Sequence, residues 1–384
     1  MPDDPKISAA LSPVHDQPGD PVQPSDGLAL CMSGGGYRAM LFHLGSLWRL
    51  NELHYLPKLD MVSSVSGGSI TNGALAMNWS NLGFDTNGFA LNFDQQVTQP
   101  IRNMASQTVD VTSVLEGILG GVSKHIVAHY NKFLYHHVTL QQIPDKPRFV
   151  FNATSLQTGV LWRFSKPYMG DWKVGLIRNP GVELATAVAA SSAFPPVLSP
   201  CVLDLDPNSF DPNVKPVAEI TPDFRKQAVL ADGGVYDNLG LETAWKRNRT
   251  VLVSNGGGAL GLESDPKHDW LGQTNRVLNI IYSQVVILRT RSIVELFDLG
   301  VRDGSYWGIG SNIQNYQLPD ALVCPVDVTT KLAETATRLA AVEGPLQEQL
   351  IDWGYAVADA AMRRWVVKDA AAPAQSPYGT FKQQ

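Results

Sequence analysis

Four serines fall within the stretch D-M-V-S-S-V-S-G-G-S-I at 60–70, two of them beside a glycine pair. A serine that acts as a nucleophile needs a sharp strand-to-helix turn that presents its hydroxyl. It also needs small neighbours, so that backbone can approach a substrate; the pattern G-x-S-x-G encodes such an elbow. Ser64-Val65-Ser66-Gly67-Gly68 matches it with serine in the first place. Ser66 is therefore the candidate nucleophile, with Gly67 and Gly68 as the elbow glycines. At the start of the following helix, the dipole and unpaired N–H groups favour developing negative charge. Acyl transfer further requires donors aimed at an oxyanion. Ser33-Gly34-Gly35-Gly36 offers consecutive backbone N–H groups with no side chain to obstruct them, again at a helix start, and Arg38 adds a cation nearby. A base is also needed. Asp232 ends the apolar run V-L-A-D and is followed by Gly233-Gly234, a tight, accessible turn. A lone carboxylate with a pKa near ~3.9 is a poor base in water, but burial beside Ser66 and away from cations would raise its basicity. A serine–aspartate dyad is then reasonable chemistry.

These groups require particular elements to hold them. G-L-A-L-C-M at 27–32 suits a buried strand and runs into the three glycines, then into the helix-compatible stretch A-M-L-F-H-L-G-S-L-W-R-L. The apolar run ending in L-D-M-V-S-S-V repeats that grammar: strand, tight glycine turn, helix. Two such units within about fifty residues indicate a parallel α/β sheet, whose functional groups sit at the carboxyl ends of strands. Further strands are expected at 148–154, 227–231 and 250–254, with 161–165 as a hairpin partner. Residues 183–193 read as helix until Pro195-Pro196 stops it. Residues 202–225, rich in Asp, Pro and Asn, read as a surface excursion. Val277, Ile280, Ile281, Val285 and Leu288 follow a helical period, most simply as core, with a lipid-facing role left open. Two helices are expected over 329–366.

The 384 residues are enough for one large domain with an ample core. A hydrophobic content of 44% against 17% charged residues is that of a globular chain. The net charge of −6, with no basic run, excludes nucleic acid and a polybasic membrane anchor as partners. Cys31, Cys201 and Cys324 are scattered and odd in number, so they form neither a metal motif nor a disulfide framework. The first residues lack a signal-peptide pattern, and no uninterrupted apolar run approaches the ~18 residues of a membrane span. The expectation is a cytoplasmic protein without a transmembrane segment, able to sit peripherally at membranes; leaderless export stays open.

In combination and in this order, S-G-G-G-Y-R-A-M, V-S-G-G-S and A-D-G-G-V-Y-D-N resemble the patatin-like phospholipases, the first block being especially similar to their cytosolic phospholipase A branch. F-V-F-N-A-T at 149–154 and A-S-S-A-F-P-P at 190–196 extend the resemblance over roughly residues 27–255. It implies a three-layer α/β/α hydrolase fold with a mainly parallel central sheet. It further implies a dyad of Ser66 and Asp232, an oxyanion loop of Gly34, Gly35 and Gly36 supported by Arg38, and cleavage of fatty acyl esters with neither metal nor cofactor. The partner implied is a lipid substrate, reached through transient contact with a membrane surface; oligomeric state is not implied. The expected layout is a lead-in over 1–26, a catalytic domain over 27–326, a helical extension over 327–368 and a flexible tail over 369–384. Ser33 and Ala39 stand where plant-type members carry Asp and Gly, and Ser64 stands where Gly is usual, so plant-like substrate preference does not carry over.

Other readings compete at several of these positions. A Ser…Asp…His triad would need a histidine after Asp232, and only His268 qualifies, in the polar segment S-D-P-K-H-D-W. Gly34-x-Gly36-x-x-Ala39 satisfies a loose dinucleotide fingerprint, but the second strand does not end on the acid that fingerprint wants. No G-K-[ST] follows, so a P-loop is excluded. His43 reads as a packed structural residue, His136-His137 has no partner at metal spacing, Asp237 reads as a turn or capping residue, and Gly256-Gly257-Gly258 as a turn able to line a pocket. Two alternatives to the hydrolase remain: a catalytically silent lipid- or partner-binding protein, and a lipase effector active only when triggered.

Overall fold

The computed structural model describes residues 24–109, 121–258 and 260–381. The expected lead-in lies almost entirely outside the described residues. Ten strands form one mixed sheet: β1 (Ser25–Met32), β2 (Met61–Ser64), β3 (Arg148–Ser155), β4 (Leu161–Ser165), β5 (Tyr168–Asp171), β6 (Gly175–Arg178), β7 (Cys201–Asp204), β8 (Gln227–Asp232), β9 (Asn248–Asn255) and β10 (Asp303–Gly308). The α-helices are α1 (Gly36–Glu52), α2 (Gly67–Asn78), α3 (Gln99–Ala105), α4 (Gly121–Tyr130), α5 (Leu184–Ser191), α6 (Gly234–Asp237), α7 (Leu241–Trp245), α8 (Trp270–Asp298), α9 (Val326–Ala333) and α10 (Gly344–Trp365).

The parallel part of the sheet runs β10-β9-β1-β2-β3 and holds both strand–glycine–helix units. From β3 outward the pairing turns antiparallel, through the meander β4-β5-β6. One strand thus serves two partners on one edge. The first half of β3 pairs in parallel with β2, with Ser64 opposite Phe151, while its end pairs antiparallel with β8, with Asp232 opposite Ala153. The carboxyl ends of β2 and β8 therefore meet head to head beside β3, about two residues or ~7 Å apart. That meeting point brings the candidate residues Ser66 and Asp232 to one end of the sheet.

Period-two alternation sorts the strands onto two cores. Leu30, Met32, Val62, Phe149, Phe151 and Leu252 face a large layer with α1, α2, α5 and α10, whereas Ala29, Cys31, Met61, Val150, Val251 and Val253 face a thin layer with α7 and Ile293 of α8. This is the three-layer arrangement. Helix α10, expected as an extension, is buried along almost its whole length and crosses α1 at backbone contact. Residues 369–381, expected as a flexible tail, are instead anchored: Asp352 accepts from the Tyr378 and Thr380 amides at 2.9 and 2.7 Å, and Arg49 donates to the Ala371 carbonyl. The stripe of α8 expected as core also turns outward. Of its 29 residues only Ile293 is buried, because the thin layer ends where α7 ends.

Candidate active site

Ser66 sits between β2 and α2 with φ 51° and ψ −120°, a strained conformation for a non-glycine residue and one that pushes its side chain off the sheet. The other serines of the stretch hold it there. The Ser66 amide donates to Ser191 Oγ at 3.0 Å, and Ser191 Oγ donates to the Asn152 carbonyl at 2.6 Å. Ser64, Ser69 and Ser191 form a buried hydroxyl chain with steps of 2.9 Å, and Asn152 Nδ2 reaches Ser63 Oγ and the Ser64 carbonyl, both at 2.9 Å. Ser64 is thus tied into the elbow's internal wiring.

The glycine turn before α1 packs straight onto this elbow. A Cβ at Gly34 would stand 3.0 Å from Ser66 Cβ, and one at Gly67 would stand 2.2 Å from the Gly36 carbonyl oxygen, so neither position admits a side chain. The Gly34 amide is already engaged, donating to the carbonyl and to Oδ1 of Asn238, each at 3.1 Å. Gly35 and Gly36 keep N–H groups that have no acceptor among the described residues. Arg38 is buried and works as a clamp: Nε donates to the Gly256 carbonyl at 3.2 Å and Nη1 to the Thr335 carbonyl, which ties the Gly256–Gly258 loop to the turn. His43 holds the turn from beneath, between Ser254 Oγ at 2.8 Å and the Ser33 carbonyl at 2.9 Å. Burial depresses its pKa to about 4, so it is neutral at physiological pH. Ser33 accepts the Gly256 amide at 2.8 Å.

Asp232 is 2% exposed. Its Oδ1 accepts the Gly234 amide at 2.7 Å, its own amide donates to the Ala193 carbonyl, and Thr154 Oγ1 donates to its carbonyl oxygen. The Ser66 hydroxyl and the carboxylate line the same cavity, and the hydroxyl pulls the carboxyl's pKa down slightly. Burial pushes the carboxyl up to about 7, against the smaller opposing pull of the Gly234 and Ser66 hydrogen bonds. No cation is among those influences, so the group is a base poised near neutrality.

Ser66, Asp232 and Gly34 to Gly36 open into one cavity of about 1070 Å³, also lined by Phe194, Gly257 and Gly258. With the elbow, turn and acid placed around this cavity, the family model for patatin-like phospholipases matches residues 30–245. The chain belongs to the patatin-like phospholipase family. At the level of that family the activity is lipid acyl hydrolysis. No curated protein sequence is significantly similar to this patatin-like chain. Among solved structures it is similar to human GIVD cytosolic phospholipase A2 in complex with methyl gamma-linolenyl fluorophosphonate and terbium chloride. That match has 13% identity and a TM-score of 0.48, and covers 93% of this chain and 60% of the human one. It is also similar to VipD from Legionella pneumophila, at 16% identity and a TM-score of 0.32, over 86% of this chain and 67% of that one. The patatin-like chain thus spans about three-fifths of the length of the human protein.

The competing residues fall elsewhere. His268 is exposed, 3.8 Å from Asp265, and does not line the cavity. Asp237 is buried and accepts the Leu239 and Glu242 amides at 3.1 and 2.6 Å, which makes it the organiser of the turn into α7. His137 pairs with Glu183 at 3.0 Å. No cluster of metal-ligating side chains occurs among the described residues. Two residues at the site escaped sequence reasoning. Asn238 couples the glycine turn to the Asp232 hairpin, and it was visible as the last letter of A-D-G-G-V-Y-D-N. Tyr282 comes from α8, outside the matched region: a Cβ on Gly234 would lie 3.0 Å from both Tyr282 Oη and Asp232 Oδ1. Burial and the Asp232 charge raise its phenol well above the usual value, so it stays protonated. Nothing local to its sequence marked it.

Proposed function

We propose that this chain is a serine acyl hydrolase that cleaves fatty acyl esters of phospholipids or related lipids through a Ser66–Asp232 dyad and an acyl-enzyme intermediate. The observation that carries the reading is a buried carboxylate pushed up by burial to about 7, with no cation among the groups that shift it, beside a serine held at positive φ on an elbow. Ser66 Oγ attacks the ester carbonyl while its proton passes to Asp232. The amides of Gly35 and Gly36, the turn's donors without an acceptor, receive the oxyanion. Collapse breaks the acyl C–O bond, and Asp232 returns the proton to the departing alcohol. A water then gives a proton to Asp232 and attacks the acyl-Ser66 carbon, and collapse releases the fatty acid and restores the hydroxyl. Arg38 and Asn238 keep the amides aimed. The catalytic unit is taken as 27–326, with α10 as part of its support. Its substrate sits at a membrane surface, which the protein contacts transiently.

Hydrolysis of a soluble chromogenic fatty acyl ester tests the dyad. Ser66→Ala is expected to lower kcat by at least about 10⁴-fold, and Asp232→Asn by about 10³-fold or more. Full activity in either variant discards the assignment. A fluorophosphonate probe is expected to label the parent and not Ser66→Ala; a parent left unlabelled would point to a silent binding protein. The pH profile adds a sign. Asp232 must be ionised to act, so kcat/KM is expected to rise about tenfold per pH unit below 7 and level off above it. Stability moves the other way. Burial holds the folded-state value above the unfolded one near ~3.9, so the folded protein loses stability as pH rises from about 4 through 7. Asp232→Asn is accordingly expected to melt higher than the parent at pH 8.

A further inference from the structure

Helix α8 is apolar on both of its sides. Its inward side lines the catalytic cavity with Asn275, Asn279, Ser283 and Val286 and packs Ile293 and Phe297 on the thin layer. Its outward side carries Trp270, Val277, Ile281 and Leu288, exposed by 77%, 51%, 55% and 57%. These four recur at i, i+7, i+11 and i+18, which places them on a single stripe over about 27 Å of helix. Leu278 and Ile280 widen the stripe on either side. A surface helix of a globular protein ordinarily turns a polar face outward, and exposed apolar area of this kind marks an interaction surface.

We propose that the outward face of α8 docks the protein on a phospholipid surface by apolar insertion, which sets the cavity mouth against the membrane that holds the substrate. This rests on the hydrolase reading above, since it is the substrate's location that selects lipid over another apolar occupant. Continuity with the cavity supports the choice. Phe194 packs edge to face on Tyr282 at 6.2 Å, lines the mouth and is itself exposed, and Val197 extends the same rim outward. Phe194 thus joins the cavity rim to the helix through Tyr282. The helix is long and apolar enough to cross a membrane, although polar residues interrupt its apolar runs. Here its other side is fixed to the protein: Arg289 pairs with Glu242 at 2.9 Å and Ile293 is buried in the thin layer. It lies at the interface and does not span. The stripe itself contains no cation, and the chain's net charge is −6, so insertion is apolar and not electrostatic.

The test is flotation with phosphatidylcholine vesicles, carried out in Ser66→Ala protein so that nothing is hydrolysed. That protein is expected to bind, with less than about twofold change between low and high salt. Adding Val277→Gln, Ile281→Gln and Leu288→Gln, which keep helix propensity, is expected to weaken binding at least about tenfold. On the Ser66 background the triple variant is expected to keep soluble-ester kcat/KM within about twofold, which also certifies its fold. Vesicles with brominated acyl chains are expected to quench emission from the parent more than from Trp270→Phe. Failure of Ser66→Ala protein to float, binding abolished by salt, or a triple variant that floats like its parent would each overturn the proposal. So would a dimer that the triple variant converts to monomer while flotation is unchanged, since the occupant would then be a second copy. Loss of ester hydrolysis alone bears on the dyad and leaves the flotation result standing.

Discussion

Helices α1 and α8 both carry apolar residues suited to a helix, and from sequence the α8 stripe read most simply as core, with a lipid-facing role left open. In the folded chain α1 is buried around nearly its whole circumference, with the sheet on one side and α10 on the other. Helix α8 keeps one fully buried residue and turns an apolar stripe to the outside. The difference lies in what arrives to cover each helix. Against α1 comes α10, from some 300 residues further along the chain, at a distance that only glycines permit: a Cβ at Gly45 would stand 1.8 Å from the Ile351 carbonyl oxygen, and one at Gly354 would stand 1.9 Å from that of Phe42. Among the described residues nothing comparable packs on the outward side of α8. Periodicity announces a helix and an apolar face; it does not say whether the rest of the protein supplies a cover.

Three substitutions probe that contrast, in descending order of expected effect. Gly45→Ala drives a methyl into backbone at the α1–α10 crossing and is expected to cost at least about 3 kcal/mol in chemical denaturation; a near-neutral result would mean that the two helices are not pinned there. Ile293→Ala empties the one buried site of α8 and is expected to cost about 2–3 kcal/mol, the smaller loss reflecting a thinner layer. Ile281→Gln, on the outward stripe, is expected to stay within about 0.5 kcal/mol of the parent. A loss above about 1 kcal/mol in dilute, lipid-free solution would show that the stripe is already covered, and the contrast between the helices would dissolve.

Much of the site was legible before any coordinates. An elbow, a glycine turn and a carboxylate at a strand end are local devices, each written within five or six consecutive residues, and each forms the expected local geometry. Chemistry alone also asked that the candidate base be buried away from cations; Asp232 is buried, and no cation is among the groups that shift its pKa. Four features were not legible. Asn238 spends its side chain on an amide 204 residues away. Ser191 braces the elbow from another helix. Tyr282 places its hydroxyl over Gly234, next to the acid, from a helix outside the family match. Asp352 ties down the C-terminal stretch that composition marked as loose. Each depends on a partner distant in sequence, and no local pattern encodes such a partner.

The amino-acid sequence by itself therefore determined the candidate vocabulary (the proposed hydroxyl, acid and amides) and an α/β scaffold whose strands alternate between two cores. Tertiary structure decided the convergence. Only the shared edge of β3, paired with β2 along one half and with β8 along the other, brings residues 66 and 232 together. It also decided exposure, because whether an apolar face is core or surface depends on which elements the rest of the chain can bring against it, and that is a property of the packed whole.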